Sequence, residues 1–382
     1  MRVIFVTSSL AHGGAERHSI TVMNRLAERG HECHAVYIKD EETQLNRIRL
    51  SNGGAVRCLK AVRYFDRRAL ADFAAYISRV KPSAVVAANP YALMYSSLAL
   101  RRSDVRASLA VTFHTTLLLN AKERLQMLYY RPFFWTADCL VFVCERQRRH
   151  WLRRGVFSRK NEVIYNGVDT EEFRDSWSPE ERQALRSSLG FADGDYVIGI
   201  SALLRPEKNH VQLVEAVAVL RKRGIPARAL MIGDGKMREA IEASARKLNV
   251  ENDVVITGIQ REVRPYAAAC DAMVLCSITE GFSLAAIEAM ALSRPVVHSD
   301  VGGAAELISQ GRNGFLFPAN DTPAFVDKLA VLADRRVSQR MGRNARATVE
   351  ALFSERTMVD RYERTLLELC EKRCRAREAT SS

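Results

Sequence analysis

Thr279-Glu280-Gly281-Phe282-Ser283-Leu284-Ala285-Ala286-Ile287-Glu288-Ala289-Met290 is the stretch on which the reading of this chain turns. Two carboxylates, Glu280 and Glu288, bracket residues that are all apolar or small. The run before them, Ala272–Cys276, reads as a strand. Gly281 permits a turn that a Cβ would resist. Ser283 is placed to cap a helix starting at Leu284, and the helix formers through Met290 continue it. The stretch is therefore strand, tight turn and helix N-terminus. The amides of Phe282, Ser283 and Leu284 point out of that terminus, which attracts anions. Glu288 is the only charge between Leu284 and Ser293, on a helix that is otherwise apolar, so an ionised group there needs a partner. A vicinal diol such as a ribose offers two neutral donors to one carboxylate. A backbone amide or a basic side chain would serve as well, and Glu288 would then be structural. Glu280, at the mouth of the turn, is placed to accept from sugar hydroxyls.

The string resembles the E-x7-E signature of retaining glycosyltransferase family 4 (glycosyl transferases group 1), usually E-G-F-G/S-L-x-x-x-E-A-M, and matches it at every fixed position. The resemblance implies an α/β chain of GT-B fold, two Rossmann-like doubly wound domains facing a cleft. It covers almost all of the chain and is strongest from Ile200 to Phe317.

Length and composition agree with a soluble globular chain of two domains. There are 382 residues, ample for two cores. No run of 18 apolar residues exists to span a bilayer. The opening Met1-Arg-Val-Ile-Phe-Val-Thr-Ser-Ser9 reads as a first strand rather than a signal peptide. Eight cysteines, at 33, 58, 139, 144, 270, 276, 370 and 374, form no C-x-x-C and read as free thiols of a reducing compartment. The net charge of +13 is uneven: residues 1–165 hold 27 Lys+Arg and 13 Asp+Glu (+14), and residues 166–382 hold 30 and 31 (−1). The basic excess, densest at Arg101-Arg102 and from Arg146 to Lys160, suits anionic lipid heads, phosphates or nucleic acid. A solvated basic face is the plainer reading of any single cluster.

Residues 1–165 alternate strand and helix patterns: Val3–Thr7, a helix from about Ala15 to Arg29, His34–Ile38, Ala84–Ala88, Ser108–Phe113 and Cys139–Val143. That pattern predicts a mostly parallel sheet covered on both faces. Leu117–Asn120 and Gln126–Trp135 mix aromatic, apolar and basic residues. They read as a buried helix, or as a surface dipping into a bilayer beside the basic patch. Val163–Asp169 carries an Asn-Gly turn and resembles the family's crossing into the second domain, 166–354. There the strands expected are Tyr196–Ser201, Ala229–Gly233, Val254–Thr257, Ala272–Cys276, Pro295–His298 and Gly314–Phe317, with a helix from about Asn209 to Arg223. The end of the chain, 355–382, reads as a charged amphipathic helix. In this architecture it crosses back to the N-terminal domain.

Further residues carry the chemistry. Gly13 and Gly14, in the loop after the first strand, let backbone come close to a ligand at the sheet's carboxyl edge. A plain turn explains them equally, but their position resembles the family's G-G-x-E loop, which implies that they face the donor's phosphates. His114 closes a strand. Such a residue is often structural, and it resembles the family's histidine near the transferred sugar. Arg205-Pro-Glu-Lys-Asn209 follows the first strand of the second domain, where two cations would clamp a diphosphate and neutralise the leaving nucleotide. The family reads G-R-L-x-P-E-K, whereas Ala202 and Leu203 stand at the Gly and Arg positions here. Lys208 matches. Arg205, two residues after Leu203, would point to the same side of an extended strand and supply the missing charge. Gly258-Ile259 resembles the segment whose backbone reads the nucleobase, leaving uracil and guanine undistinguished. Asp271 is family-like, or a turn residue before the strand.

No carboxylate pair is set out as in a hydrolase, and no D-x-D string lies in strand-and-loop context. The resemblance implies a retaining transfer without metal or cofactor, from a nucleotide-sugar to a glycan or lipid-linked acceptor. In that scheme Glu280 and the Gly281–Leu284 segment hold the sugar, Glu288 the ribose, and Arg205 and Lys208 the diphosphate. His114 lies near the reacting carbon. The leaving phosphate helps accept the acceptor's proton, and the protein positions and stabilises charge. The basic first domain carries the acceptor side, which suggests a cytoplasmic protein peripheral to an anionic membrane face, in envelope polysaccharide or lipopolysaccharide assembly. Four rivals are a nucleotide-sugar epimerase of the same fold, a phosphorylase, a donor-binding protein with little catalysis, and a nucleic-acid-binding protein. The doubly wound pattern argues against nucleic acid as a partner, and nothing marks the lysine-bound cofactor of a phosphorylase.

Overall fold

The computed structural model of the chain describes residues 1–11, 13–114 and 121–381. Leu117–Asn120 therefore lies outside the described residues. The chain divides into two compact units, Met1–Asn166 with Arg356–Ser382, and Gly167–Glu355.

The first unit is built on seven parallel strands: β1 (Arg2–Thr7), β2 (Glu32–Tyr37), β3 (Val56–Cys58), β4 (Ala84–Ala88), β5 (Ser108–Phe113), β6 (Cys139–Phe142) and β7 (Lys160–Val163). Their order is β3-β2-β1-β4-β5-β6-β7, so the winding reverses between β1 and β4, which pair Val3 with Ala84. The strands are apolar on both faces because both faces are covered. Ile4 and Val6 face one core with the helices Arg67–Val80 and Asn89–Arg102. Val3 and Phe5 face the other, with the helix Gly14–Glu28 and with Met358, Val359, Tyr362, Leu366 and Leu369. Those last five belong to the helix Glu355–Ser381, which packs as part of this unit. Ion pairs fix its register: Arg29 with Asp360 and Glu363, each at 2.6 Å, and Lys160 with Glu368 at 2.8 Å.

Two strands of this sheet carry no pattern that the sequence could show. β3 and β7 are the edges, three and four residues long, and β7 reads Lys-Asn-Glu-Val. An edge strand needs neither length nor two apolar faces. The segment expected as a buried helix, or as a surface beside the basic patch, is a helix, Ala121–Thr136, and it is not buried all round. Met127, Tyr130 and Phe134 form one inward stripe, while Leu125 (70 % exposed), Leu128, Tyr129 and Trp135 face outward. Pro132 inside it sits beside that outward face.

The second unit has six parallel strands: β8 (Tyr196–Ser201), β9 (Ala227–Ile232), β10 (Val254–Ile256), β11 (Ala272–Leu275), β12 (Val296–Ser299) and β13 (Gly314–Phe317), ordered β10-β9-β8-β11-β12-β13. The reversal falls between β8 and β11, and the strands that flank it are the source of the site described below. Cys33, Cys58, Cys139, Cys144, Cys270, Cys276 and Cys370 are free thiols. Burial pushes those of Cys33, Cys139 and Cys270 up to about 12, which leaves them protonated and inert. Among the described residues no helix is long and apolar enough to cross a membrane.

The last helix is a structural member of the first unit's core, so its apolar face should carry measurable stability. Leu366→Ala, at a buried position, is expected to cost about 2–4 kcal/mol in urea unfolding of that unit. Arg364→Ala, exposed on the same helix, should stay within about 0.5 kcal/mol of the parent. Equal effects at the two positions would show that the helix is not docked.

Candidate active site

Three loops leave the carboxyl ends of β8, β11 and β12, neighbours in the second sheet, and meet. After β8 the chain turns sharply, with the Arg205 N–H donating to the Leu203 carbonyl at 2.8 Å, and enters a 3-10 turn at Pro206–Lys208. The helix His210–Lys222 follows. After β11, Cys276–Phe282 forms the loop into the helix Leu284–Ala291. Ser283 caps that helix by accepting from the Ala286 amide at 3.3 Å. The two loops are joined by backbone: the Ile278 N–H donates to the Glu207 carbonyl at 2.8 Å. That bond sets Lys208 beside Glu280, and Lys208 Nζ pairs with Glu280 Oε1. Ser277 Oγ donates to the same carboxylate oxygen at 3.0 Å. Both partners are largely out of solvent, Lys208 with 25 % and Glu280 with 14 % of its side chain exposed.

The third loop, after β12, supports the turn from below. The Gly303 N–H donates to the Gly281 carbonyl at 2.8 Å. Gly302 has φ +54°, and a Cβ there would lie 2.2 Å from the Glu280 carbonyl oxygen. Only glycine fits that approach. Phe282 is buried, its ring 5.2 Å from that of Phe353, which fixes how the chain enters the helix. Glu288 is buried on the same helix at 7 % exposure. Beneath the pair, burial holds His298 neutral against the opposing pull of Glu280, and its Nδ1–H donates to the Ser299 carbonyl at 2.7 Å. His210, at the start of the following helix, is pushed down to about 4 by burial and by Lys208, so Lys208 has an uncharged neighbour.

The remaining positions fall as follows. Arg205 does not sit on a strand: β8 ends at Ser201, and the turn at Leu203–Arg205 removes the alternation that would have aligned it with position 203. It is 53 % exposed, and its ion-pair contact is Glu207 at 3.9 Å. Gly258, φ +73°, bridges Gly233 just beyond β10 and β9, and Ile259 is 65 % exposed. Asp271 has a structural part: it pairs with the buried Arg186 at 2.7 Å and accepts from the Val197 amide at 2.8 Å.

In the first unit, Gly13 is the extended N-cap, φ −160°, and Gly14 the first residue, of the helix Gly14–Glu28. Gln44 Nε2 anchors that loop by donating to the Ala11 carbonyl at 2.5 Å. Glu16, in the first turn, has its carboxyl raised by burial and by Glu41. His114 follows β5, and its N–H donates to Asn89 Oδ1 at 3.0 Å. Burial pushes its imidazole down to about 4, so it is neutral near pH 7.

Sequence reasoning missed Ser277, Gly302, Asn89 and His18, which touches His114. Gly302 was visible only as part of a Gly-Gly turn, and a hydroxyl three residues before Glu280 carries no signal until the loop is folded.

Two parallel α/β units with ligand-type loops on their carboxyl edges define a protein of two Rossmann-like halves. Comparison with known proteins makes the class specific. The profile described as "Glycosyltransferase Family 4" matches residues 12–172, and "Glycosyl transferases group 1" matches residues 181–348. EpsD of Bacillus subtilis (strain 168), provisionally named a glycosyltransferase, is 31 % identical over 238 residues, 61 % of this chain and 62 % of that protein. The UDP-Gal:alpha-D-GlcNAc-diphosphoundecaprenol alpha-1,3-galactosyltransferase of Escherichia coli is 27 % identical over 205 residues, 53 % of this chain and 52 % of that one. These matches span only about half to three-fifths of the curated relatives' lengths. The crystal structure of Anabaena Alr3699/HepE in complex with UDP superposes with a TM-score of 0.84 at 22 % identity, covering 96 % of this chain and all of that one, and shows the fold. The chain belongs to the family 4, group 1 glycosyltransferases, with the GT-B fold.

The close approach at Gly302 generates a stability test. Gly302→Ala combines a left-handed backbone with a collision against the Glu280 carbonyl and is expected to cost about 3 kcal/mol or more. Gly311→Ala, whose nearest neighbour to a new Cβ is the Phe315 ring at 3.9 Å, carries backbone strain alone, about 1–2 kcal/mol. Thermal unfolding of the two variants reads the difference.

Proposed function

We propose that this chain transfers a sugar from a nucleotide-sugar donor to a glycan or lipid-linked acceptor, with retention at the anomeric carbon and without a metal ion or other cofactor. The observation that carries the reading is the Lys208–Glu280 pair, held by the Ile278–Glu207 backbone bond at the N-terminus of the helix that bears Glu288. A cation, a carboxylate and a helix N-terminus at one point suit a diphosphate joined to a hydroxyl-rich ring. On this reading Lys208 takes the diphosphate and Glu280 turns to the sugar hydroxyls. The amides of Phe282–Leu284 support the same end, Glu288 binds the ribose diol, and the backbone at Gly258-Ile259 meets the base. The first unit supplies Gly13 and Gly14 for the phosphates and a neutral His114 for the transferred sugar. The +14 excess of residues 1–165 and the outward aromatic face of the helix Ala121–Thr136 support an acceptor at an anionic membrane surface, as in envelope polysaccharide or lipopolysaccharide assembly. The relative that acts on an undecaprenyl-linked sugar supports the same acceptor class.

One observation favours a second reading, a donor-binding chain with little turnover. Leu203 stands where the family carries arginine, and Arg205 is half-exposed beside Glu207.

Ligand-observed NMR against UDP-, GDP- and ADP-sugars, beginning with UDP-glucose, is the direct test. One nucleotide-sugar should bind the parent, and Glu288→Ala should weaken it at least tenfold, about 1.4 kcal/mol or more. Lys208→Ala should abolish turnover, a metal chelator should leave it unchanged, and the product anomer should match the donor's. Donor binding with neither transfer nor hydrolysis would favour the second reading. Binding of no nucleotide-sugar would overturn the first.

A further inference from the structure

The first unit buries a second histidine that the proposed chemistry does not use. His18 lies on the inward face of the helix Gly14–Glu28 and is 2 % exposed. Its neighbours on that helix include the buried Val22, Met23 and Leu26, so an imidazole there replaces what packing alone would fill with an apolar side chain. Its ring stands edge-on to His114, with centroids 4.9 Å apart and planes at 67°. On another side it stands edge-on to Tyr362, at 5.4 Å and 62°. His18 Nε2 and the Tyr362 hydroxyl are 2.9 Å apart, and Tyr362 is itself buried on the last helix.

The proton in that bond can be placed. Burial raises the Tyr362 phenol far above its ordinary range, so the hydroxyl keeps its hydrogen. The imidazole is its hydrogen-bond partner among the described residues. With the phenol donating, Nε2 of His18 accepts and the hydroxyl hydrogen is paired, while Nδ1 of His18 carries the ring hydrogen with no hydrogen-bond partner among the described residues. His18 is then neutral, with its proton on Nδ1. Burial and the adjacent His114 both push His18 well below its usual range, and Asn166 opposes them only in part. The next ring in the row, His114, has a buried Nε2 that makes no hydrogen bond among the described residues. Among the described residues, the aromatic ring in contact with that of His114 is His18.

We infer that His18 and Tyr362 are positioning residues for His114: the phenol of the last helix fixes the tautomer and plane of His18, and contact with the His18 ring fixes the plane of His114 and so the direction of its Nε2. This rests on the role given to His114 above. It adds that the C-terminal helix reaches the reaction through two imidazoles in edge-on contact and is more than a cover for the sheet.

The experiment uses the full chain labelled with 15N in histidine, with the His114 resonances assigned through His114→Gln. In the parent, His114 should show one neutral tautomer. Tyr362→Phe keeps the ring and its packing and removes only the donor. It should shift and broaden the His114 imidazole nitrogens as the ring samples more than one orientation, leave the amide spectrum elsewhere unchanged, and lower kcat about tenfold with donor KM unchanged. His18→Gln keeps an acceptor for the phenol and should retain more of kcat than His18→Leu. Unmoved His114 nitrogens in Tyr362→Phe, or in His18→Leu should Tyr362→Phe not fold, overturn the inference whatever the activity. The His114→Ala variant separates the two claims. Full turnover in it removes His114 from the proposed chemistry, while the nitrogen spectra still decide whether His18 and Tyr362 orient that ring.

Discussion

Lys208 and Glu280 come from loops more than seventy residues apart in sequence, and one backbone hydrogen bond brings them together. The Ile278 N–H reaches the Glu207 carbonyl because β8 and β11 are adjacent parallel strands that both end at the same edge. A largely buried ion pair is a poor source of stability by itself, since desolvating two charges offsets most of their attraction. The loops must therefore be held by something else. The Gly302 approach to the Glu280 carbonyl, the Gly303–Gly281 bond and the Phe282–Phe353 contact do that work. The charges are then free to serve a ligand without giving up the fold.

The same division runs through both sheets. Strands buried on two faces supply the stability, and their carboxyl ends carry the polar residues. In the first unit the helix Glu355–Ser381 completes one face, so the end of the sequence closes a core opened by its first residues. A chain assembled this way has little local bias toward its final contacts. Arg29 meets Asp360 and Glu363 only when the whole unit is formed.

What could be read from the sequence follows from that physics. Interior strands such as Ala84–Ala88, Ser108–Phe113 and Tyr196–Ser201 were legible because burial on both faces demands continuous apolar runs. The edges β3 and β7 were not, since an edge can be polar and short. The Ser283 cap and the helix start at Leu284 were legible because capping is local chemistry. The direction of Arg205 was not legible, for the opposite reason. Its direction depends on where β8 stops and on a turn closed by Leu203, and neither is written in side-chain type. Composition left the helix Ala121–Thr136 open between core and surface, since its aromatics suit either, and only the stripe at Met127, Tyr130 and Phe134 turns inward.

The Lys208–Glu280 pair is neutral as a whole, and on the proposed reading that bears on how a donor enters. Lys208 and Glu280 satisfy each other, while His298 and His210 beside them are held uncharged by burial. On the proposed reading a diphosphate takes Lys208 from Glu280. The freed carboxylate still has the Ser277 hydroxyl and gains sugar hydroxyls in exchange for the ammonium. Each charge trades one partner for another, so neither is left buried and alone, the state that would cost most. A nucleotide without its sugar would take the lysine and offer the carboxylate nothing. On that reading the pairing favours a complete nucleotide-sugar over the free nucleotide, through a contact that the ligand breaks.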